Sequence, residues 1–222
     1  MWLSMKNNYN VTEIFASVEG EGKRTGYMAT FIRLTGCNLR CTYCDTKYSY
    51  GEENRVMSED EIIKEVAQYP WKRITITGGE PLLQNIDGLV HTLALKGYEV
   101  NIETNGSIPL LAKRYVGMFY TMDWKCPSSG ENNMMSFTNL SKLEKTDVLK
   151  FVVGNTEDLD EMRRIIREKP LLYLKPLIYV SPVFGEIEPK EIVQYIKDNT
   201  LEDVCVQVQL HKVIWEPDER GV

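Results

Sequence analysis

No apolar run among these 222 residues approaches the roughly 20 needed to cross a bilayer, so a membrane-spanning helix is not expected. The first residues also lack a basic segment followed by an apolar stretch, which argues against a secretory signal and for a cytoplasmic chain. Positive charge is in short supply: 26 Lys and Arg face 32 Asp and Glu, for a formal charge of −6. A general nucleic-acid surface needs clustered cations and is not expected, whereas a small anion held by a few local cations is compatible with this balance. Repeats, low-complexity tracts and linkers are missing too, and a single domain over 1–222 is expected. Cysteine is sparse, with five in all, but three fall between positions 37 and 44. Such clustering suits a metal site in a reducing compartment and not a disulfide framework. Cys126 and Cys205 are expected to be buried free thiols.

The cluster reads Cys37-Asn38-Leu39-Arg40-Cys41-Thr42-Tyr43-Cys44. Closed zinc and iron–sulfur sites take four protein ligands, so three thiolates without a near fourth suggest a site with one open position. A zinc knuckle completed by Cys126, Cys205 or a histidine is the alternative reading. The C-x3-C-x2-C spacing, with an aromatic before the last cysteine, resembles the radical S-adenosylmethionine superfamily. That resemblance implies a [4Fe-4S] cluster whose free iron binds S-adenosylmethionine and reduces it to methionine and a 5′-deoxyadenosyl radical. Downstream, Arg73–Thr77 alternates like a short buried strand and runs straight into Gly78-Gly79-Glu80-Pro81. Two glycines at a strand end let backbone approach a ligand without Cβ interference. In the superfamily, the Gly-Gly-Glu motif contacts the amino group of S-adenosylmethionine.

The remaining pattern alternates strand and helix. Strands are expected at Val11–Phe15, Met28–Leu34, Arg73–Thr77, Tyr98–Glu103, Met118–Asp123, Val148–Val153, Leu177–Val180 and Val204–Gln209. Helices are expected from Ser58 to about Tyr69, at Gln84–Lys96, near Ile108–Arg114, at Thr156–Lys169 and at Pro189–Asp198. The first opens on a capping box, Ser58 with Glu61. Alternation of this kind predicts a parallel α/β sheet with right-handed crossovers. About six units fall short of the eight of a closed barrel, so a partial, open (β/α)6-type barrel is expected. Its chemistry should gather at the strand C-termini: the cysteine loop, Thr77–Glu80, Glu103–Asn105, Asp123–Lys125 and Ser181–Gly185.

Ile14-Phe15-Ala16-Ser17-Val18-Glu19-Gly20-Glu21-Gly22 and Phe31-Ile32-Arg33-Leu34-Thr35-Gly36-Cys37 closely resemble the start of the 7-carboxy-7-deazaguanine synthase family. Cys44-Asp45-Thr46, Gln209-Leu210-His211-Lys212 and Arg220-Gly221-Val222 extend the likeness over almost the whole chain. The resemblance implies queuosine and 7-deazapurine biosynthesis: 6-carboxy-5,6,7,8-tetrahydropterin loses a hydrogen from C6, its ring contracts and ammonia leaves. It implies S-adenosylmethionine regenerated at each turnover, Mg²⁺, a flavodoxin- or ferredoxin-type reductant and a homodimer. By position, Cys37, Cys41 and Cys44 match the cluster ligands and Thr46 the magnesium ligand. Tyr43, Cys44, Asp45, Gly78, Gly79, Glu80, Lys125 and Ser181 match cofactor contacts. Val18, Glu19, Gly20, Glu21, Arg33, Thr77, His211 and Val222 match substrate contacts, with Thr77 and His211 beside the reacting ring. Members more commonly carry glutamine where Glu19 stands, and many have Ser-Pro-Lys in place of Asp123-Trp124-Lys125.

Plainer roles compete for these residues. Glu19 and Glu21 could be solvated loop carboxylates, although a Gly-rich turn beside the cluster loop favours function. Arg33, in an apolar strand, needs an anion: the substrate carboxylate, or Glu80 or Glu103 in a structural pair. His91 is read as a surface or core histidine, and Met28, Met118 and Met122 as core filler. Rival functions are a glycyl-radical-enzyme activase of the same superfamily, which needs a broad docking face, and a non-enzymatic zinc- or cluster-binding module.

Overall fold

The computed structural model describes residues 7–51, 54–168, 176–216 and 219–222. Its strands are β1 (Asn8–Val18), β2 (Met28–Leu34), β3 (Arg55–Ser58), β4 (Arg73–Gly78), β5 (Glu99–Thr104), β6 (Met118–Lys125), β7 (Val148–Val153), β8 (Leu177–Pro182) and β9 (Val204–Val206). Among the described residues they form one sheet in the order β3-β1-β2-β4-β5-β6-β7-β8-β9. From β2 through β9 every pairing is parallel, while β1 runs antiparallel to both β2 and β3. The sheet does not close, in keeping with the open-barrel expectation.

Alternation along the strands decides what faces where. In β4, Ile74 and Ile76 are fully buried, whereas Thr75 and Thr77 point to the opposite face. In β6, Tyr120, Met122 and Trp124 are buried between Thr121, Asp123 and Lys125. The apolar face packs under helices α1 (Glu59–Val66), α2 (Asp87–Leu95), α4 (Thr156–Glu168) and α5 (Pro189–Asn199); α3 (Phe137–Leu140) and α6 (His211–Ile214) are single turns. Each fully buried isoleucine contributes about 1.5–3 kcal/mol. The other face is polar, and Arg33, Thr77, Glu103, Asp123 and Lys150 from successive strands all line one cavity of about 580 Å³. The concave face is therefore the site and the convex face the core.

Several elements differ from the sequence reading. β1 is longer than expected because its polar start pairs with β3, a short strand of Arg and Ser character that the pattern did not show. No helix forms near Ile108–Arg114. Pro109 disfavours helical backbone before it, and Asn139 occupies this segment, accepting from Leu110 N–H (3.3 Å) and donating to the Gly106 (2.9 Å) and Ile108 (2.7 Å) carbonyls. α2 starts at Asp87 and not Gln84, since Gln84 is extended and bonds Asn10 and Thr35 across the sheet. The Ser58–Glu61 capping box is present, with the helix ending at Val66. β9 stops at Val206, after which the Gln207 side chain turns to Gly22. Lys169, the expected last residue of α4, lies outside the described residues.

Candidate active site

The roof of the cavity is the loop after β2. Cys37, Cys41 and Cys44 all line it, while Cys126 is fully buried elsewhere, its thiol directed at the Trp124 carbonyl (3.8 Å). Cys205 is exposed, which corrects its reading as a buried thiol. The Leu39 N–H (3.5 Å) and Asn105 Nδ2 (4.0 Å) point at Cys37 Sγ, as donors that tune a cluster sulfur do. Among the described residues, no three His, Cys, Asp or Glu side chains converge on a point for one ion. Three thiols on the roof, with Cys126 buried away from them, leave a cluster held here with one position free of protein ligand. Burial pushes the Cys41 thiol up to about 11 and raises Cys37, so holding thiolates here needs a cationic partner.

The two glycines at the end of β4, Gly78 and Gly79, have a different first duty from the one expected. A Cβ on Gly79 would lie 2.3 Å from the Gly36 carbonyl oxygen and 2.6 Å from Cys37 Cβ; one on Gly78, at φ +141°, would lie 2.0 Å from the Leu34 oxygen. They admit the cysteine loop itself against the strand end, and both still line the cavity. Glu80 does not. It is buried, and its carboxylate accepts from Leu82 N–H (2.9 Å), Asn105 N–H (2.7 Å) and Thr104 Oγ1 (2.9 Å), tying the loop after β4 to the end of β5.

The Glu19–Glu21 turn is not beside the cysteine loop, contrary to the sequence reading. It joins β1 to β2 at the N-terminal end of the parallel strands and forms the floor, facing the cysteines across the cavity. Neither carboxylate is solvated. Glu19 is 1% exposed and pairs with Arg24 and Thr75. Its burial, with Glu103's charge adding, raises it above the usual carboxylate range against the pull of Arg24. Glu21 Oε2 lies 2.9 Å from Lys150 Nζ. Burial opposes its charge, yet Lys150 holds it down to about 2. Gly20 carries His211 above it, where a Cβ would be 2.0 Å from Nδ1.

The wall between floor and roof is a line of alternating charge. Lys150 is also 3.6 Å from Asp123 Oδ2, which is 3.0 Å from Lys125 Nζ. Glu21 Oε1 and Asp123 Oδ1 are buried without a hydrogen-bond partner among the described residues. On the other wall Thr77 Oγ1 donates to Glu103 (2.9 Å). Arg33 donates through Nε to Glu13 Oε1 (2.7 Å), which also takes the Tyr48 hydroxyl (2.8 Å). Its structural partner is therefore Glu13, not Glu80 or Glu103. Its two terminal nitrogens make no hydrogen bond among the described residues, and Arg33 lines the cavity.

The C-terminal segment crosses the open side. Leu210 N–H donates to the Gly20 carbonyl (3.0 Å), Lys212 pairs with Asp45 (3.0 Å), and Arg220 lies 4.1 Å over the Tyr48 ring. Burial opposes ionisation of Asp45, but Lys212 outweighs it and holds the carboxyl low. Burial lowers His211 below the usual imidazole range against the pull of Glu21 and Asp45, which favours the neutral ring. Val222 lines the cavity.

Val18, Tyr43, Thr46, Thr77, Lys125, His211 and Val222 thus meet at one cavity with the cysteines. Ser181 is buried off its lining, and Val183 and Phe184 take its place there. Met28 is exposed, unlike Met118 and Met122 in the core. His91 stacks on Tyr115 outside the site. Sequence reading missed Arg24 and Lys150, while Glu103, expected at a strand end facing the site, does line the cavity. Lys150 could have been found by the reasoning applied to Arg33, since it is a lone cation in the apolar run Val148–Val153.

The family model described as the Radical SAM superfamily matches residues 31–119. The 7-carboxy-7-deazaguanine synthase of Clostridium acetobutylicum is 45% identical over 225 residues, covering 97% of this chain and 100% of that protein. The 7-carboxy-7-deazaguanine synthase of Methanospirillum hungatei is 38% identical over 216 residues, covering 96% and 88%. The crystal structure of QueE from Escherichia coli has the same fold, with a TM-score of 0.75 at 21% identity over 92% of this chain and 95% of that one.

Proposed function

The chain belongs to the 7-carboxy-7-deazaguanine synthase family, and we propose that it runs that reaction with the pterin lying between the Glu19–Glu21 floor and the cysteine roof. It is a radical S-adenosylmethionine enzyme, a carbon–nitrogen lyase of queuosine and 7-deazapurine biosynthesis that contracts the ring of 6-carboxy-5,6,7,8-tetrahydropterin with loss of ammonia. The [4Fe-4S] cluster with S-adenosylmethionine, when bound, supplies the 5′-deoxyadenosyl radical. Cys37, Cys41 and Cys44, which line the roof, would hold that cluster.

The observation that carries the site assignment is the two-sided cavity: three thiols on one side, and Glu19, Glu21 and Arg33 reaching it from the opposite end and wall. The free fork of Arg33 suits a bidentate carboxylate. Unpartnered oxygens on Glu21 and Asp123 suit the N–H-rich edge of a pterin. Neutral His211 can accept or donate beside the ring. Tyr43, Asp45, Gly78, Gly79 and Lys125 border the cofactor end, and Glu80 shapes that end by holding its loops. Thr46, which lines the cavity, would offer its hydroxyl oxygen as a ligand to Mg²⁺, an ion that needs few protein ligands. A flavodoxin- or ferredoxin-type reductant, a homodimer and a cytoplasmic setting complete the reading. A cavity enclosed by floor and tail suits a small molecule better than the protein substrate of an activase. Binding titrations test the arrangement: changing Glu21 or Arg33 should weaken the pterin and spare S-adenosylmethionine, and equal loss of both would break it.

A further inference from the structure

Arg24 is 5% exposed and does not line the cavity, yet it carries a full positive charge. It lies just beneath the floor. Its Nη2 donates to Glu19 Oε1, to Thr75 Oγ1 (2.6 Å) and to the Ile74 carbonyl (3.0 Å). Nη1 reaches the Glu99 carbonyl and carboxylate, each at 3.3 Å. Thr75 Oγ1 donates to the same Oε1 of Glu19. The Glu19 main chain is fixed as well, its N–H on the Tyr27 carbonyl (2.8 Å) and its carbonyl taking Gly26 N–H (2.9 Å).

One oxygen of Glu19 is thus saturated by two donors and its backbone is closed on both sides. Oε2 accepts no hydrogen bond among the described residues, and Glu19 lines the cavity. A carboxylate clamped by one oxygen presents the other in a fixed direction, which is what recognition of a planar N–H edge requires. We propose that Arg24 is a positioning residue for substrate recognition: with Thr75 it clamps Glu19 by Oε1, supplies its counter-charge and offers Oε2 to an N–H of the pterin. The proposal rests on the reading of Glu19 as a substrate contact. The competing role is that Arg24 merely fastens the β1–β2 turn to Ile74 and Glu99.

The two roles separate in a mutant cycle on the anaerobic holoprotein, using 6-carboxypterin, the oxidised analogue, as the binding probe. Arg24→Met should weaken it at least tenfold, because the buried Glu19 loses both clamp and counter-charge. Glu19→Gln alone should weaken it several-fold. The double variant should bind within threefold of Glu19→Gln, since a neutral amide held by Thr75 needs no cation. Iron content, visible absorption and the circular-dichroism spectrum report cluster loading and folding of each variant. Should Arg24→Met not fold, the double variant against Glu19→Gln carries the test: matching affinities support the clamp. A further tenfold loss in the double variant overturns it and makes Arg24 structural. Wild-type binding in both Glu19→Gln and Glu19→Ala would overturn the reading of Glu19, and the proposal with it.

Discussion

Lys150 and Glu21 lie 129 residues apart in the chain and meet at 2.9 Å, joining the wall of the cavity to its floor. The pair is about one-tenth exposed on each side, and Asp123 completes the charge balance. Breaking it leaves a buried carboxylate without its cation. Lys150→Met is expected to destabilise the protein by about 3 kcal/mol in urea unfolding and to lower pterin turnover by two orders of magnitude. An unchanged urea midpoint would mean that water, not Lys150, compensates Glu21.

The same pair sets a pH dependence. Glu21 is held at about 2 against an ordinary value of 4.5, so its ion pair is fully stabilising above 4.5 and is lost as pH falls toward 2. Between pH 6 and pH 3 it should account for about 2 kcal/mol of lost stability. Unfolding of the cluster-free chain at both pH values, with Glu21→Gln alongside, checks this. The variant should show a correspondingly smaller loss.

Cys37, Cys41 and Cys44 should each be required for the cluster, and Cys126 should not, being fully buried away from the cavity. Iron content and visible absorption after each change to alanine measure this. Loss of iron in Cys126→Ala would indicate a four-cysteine site.

Arg33→Lys keeps the charge but loses the planar fork beyond Glu13. Pterin affinity should fall at least tenfold while S-adenosylmethionine binding stays within twofold. If titration finds pterin affinity unchanged, Arg33 serves only the Glu13–Tyr48 cluster.

The fold and the roof were legible because each rests on local pattern: alternation in Arg73–Thr77, the spacing of the cysteines, the glycines at a strand end. The floor was legible as a motif but not as a place. The turn enters β2 and the cysteine loop leaves it, so the strand itself, Met28–Leu34, sets the two at opposite ends, a consequence that closeness in the sequence hides. Arg24 sits in a polar turn where cations are usually solvated, so its burial under Glu19 appears only once β4 and β5 are packed above it. Glu80 shows the converse, a motif residue whose side chain serves the loops around the cavity. The last stretch of tail was also only half legible. Its sequence matched as a motif, without showing where the segment runs; Pro217 lies outside the described residues, and Arg220 and Val222 do reach the site. Deleting Arg220–Val222 should therefore impair pterin turnover more than uncoupled cleavage of S-adenosylmethionine, and equal effects on the two would mean that the tail only packs.

The most direct measurement is single-vessel turnover by the anaerobically purified, reduced protein with excess 6-carboxy-5,6,7,8-tetrahydropterin and less S-adenosylmethionine than enzyme. The account predicts a brown protein with about four irons per chain, many equivalents of 7-carboxy-7-deazaguanine and ammonia per S-adenosylmethionine, and no net loss of that cofactor. A brown protein that consumes S-adenosylmethionine and leaves the pterin intact would contradict it.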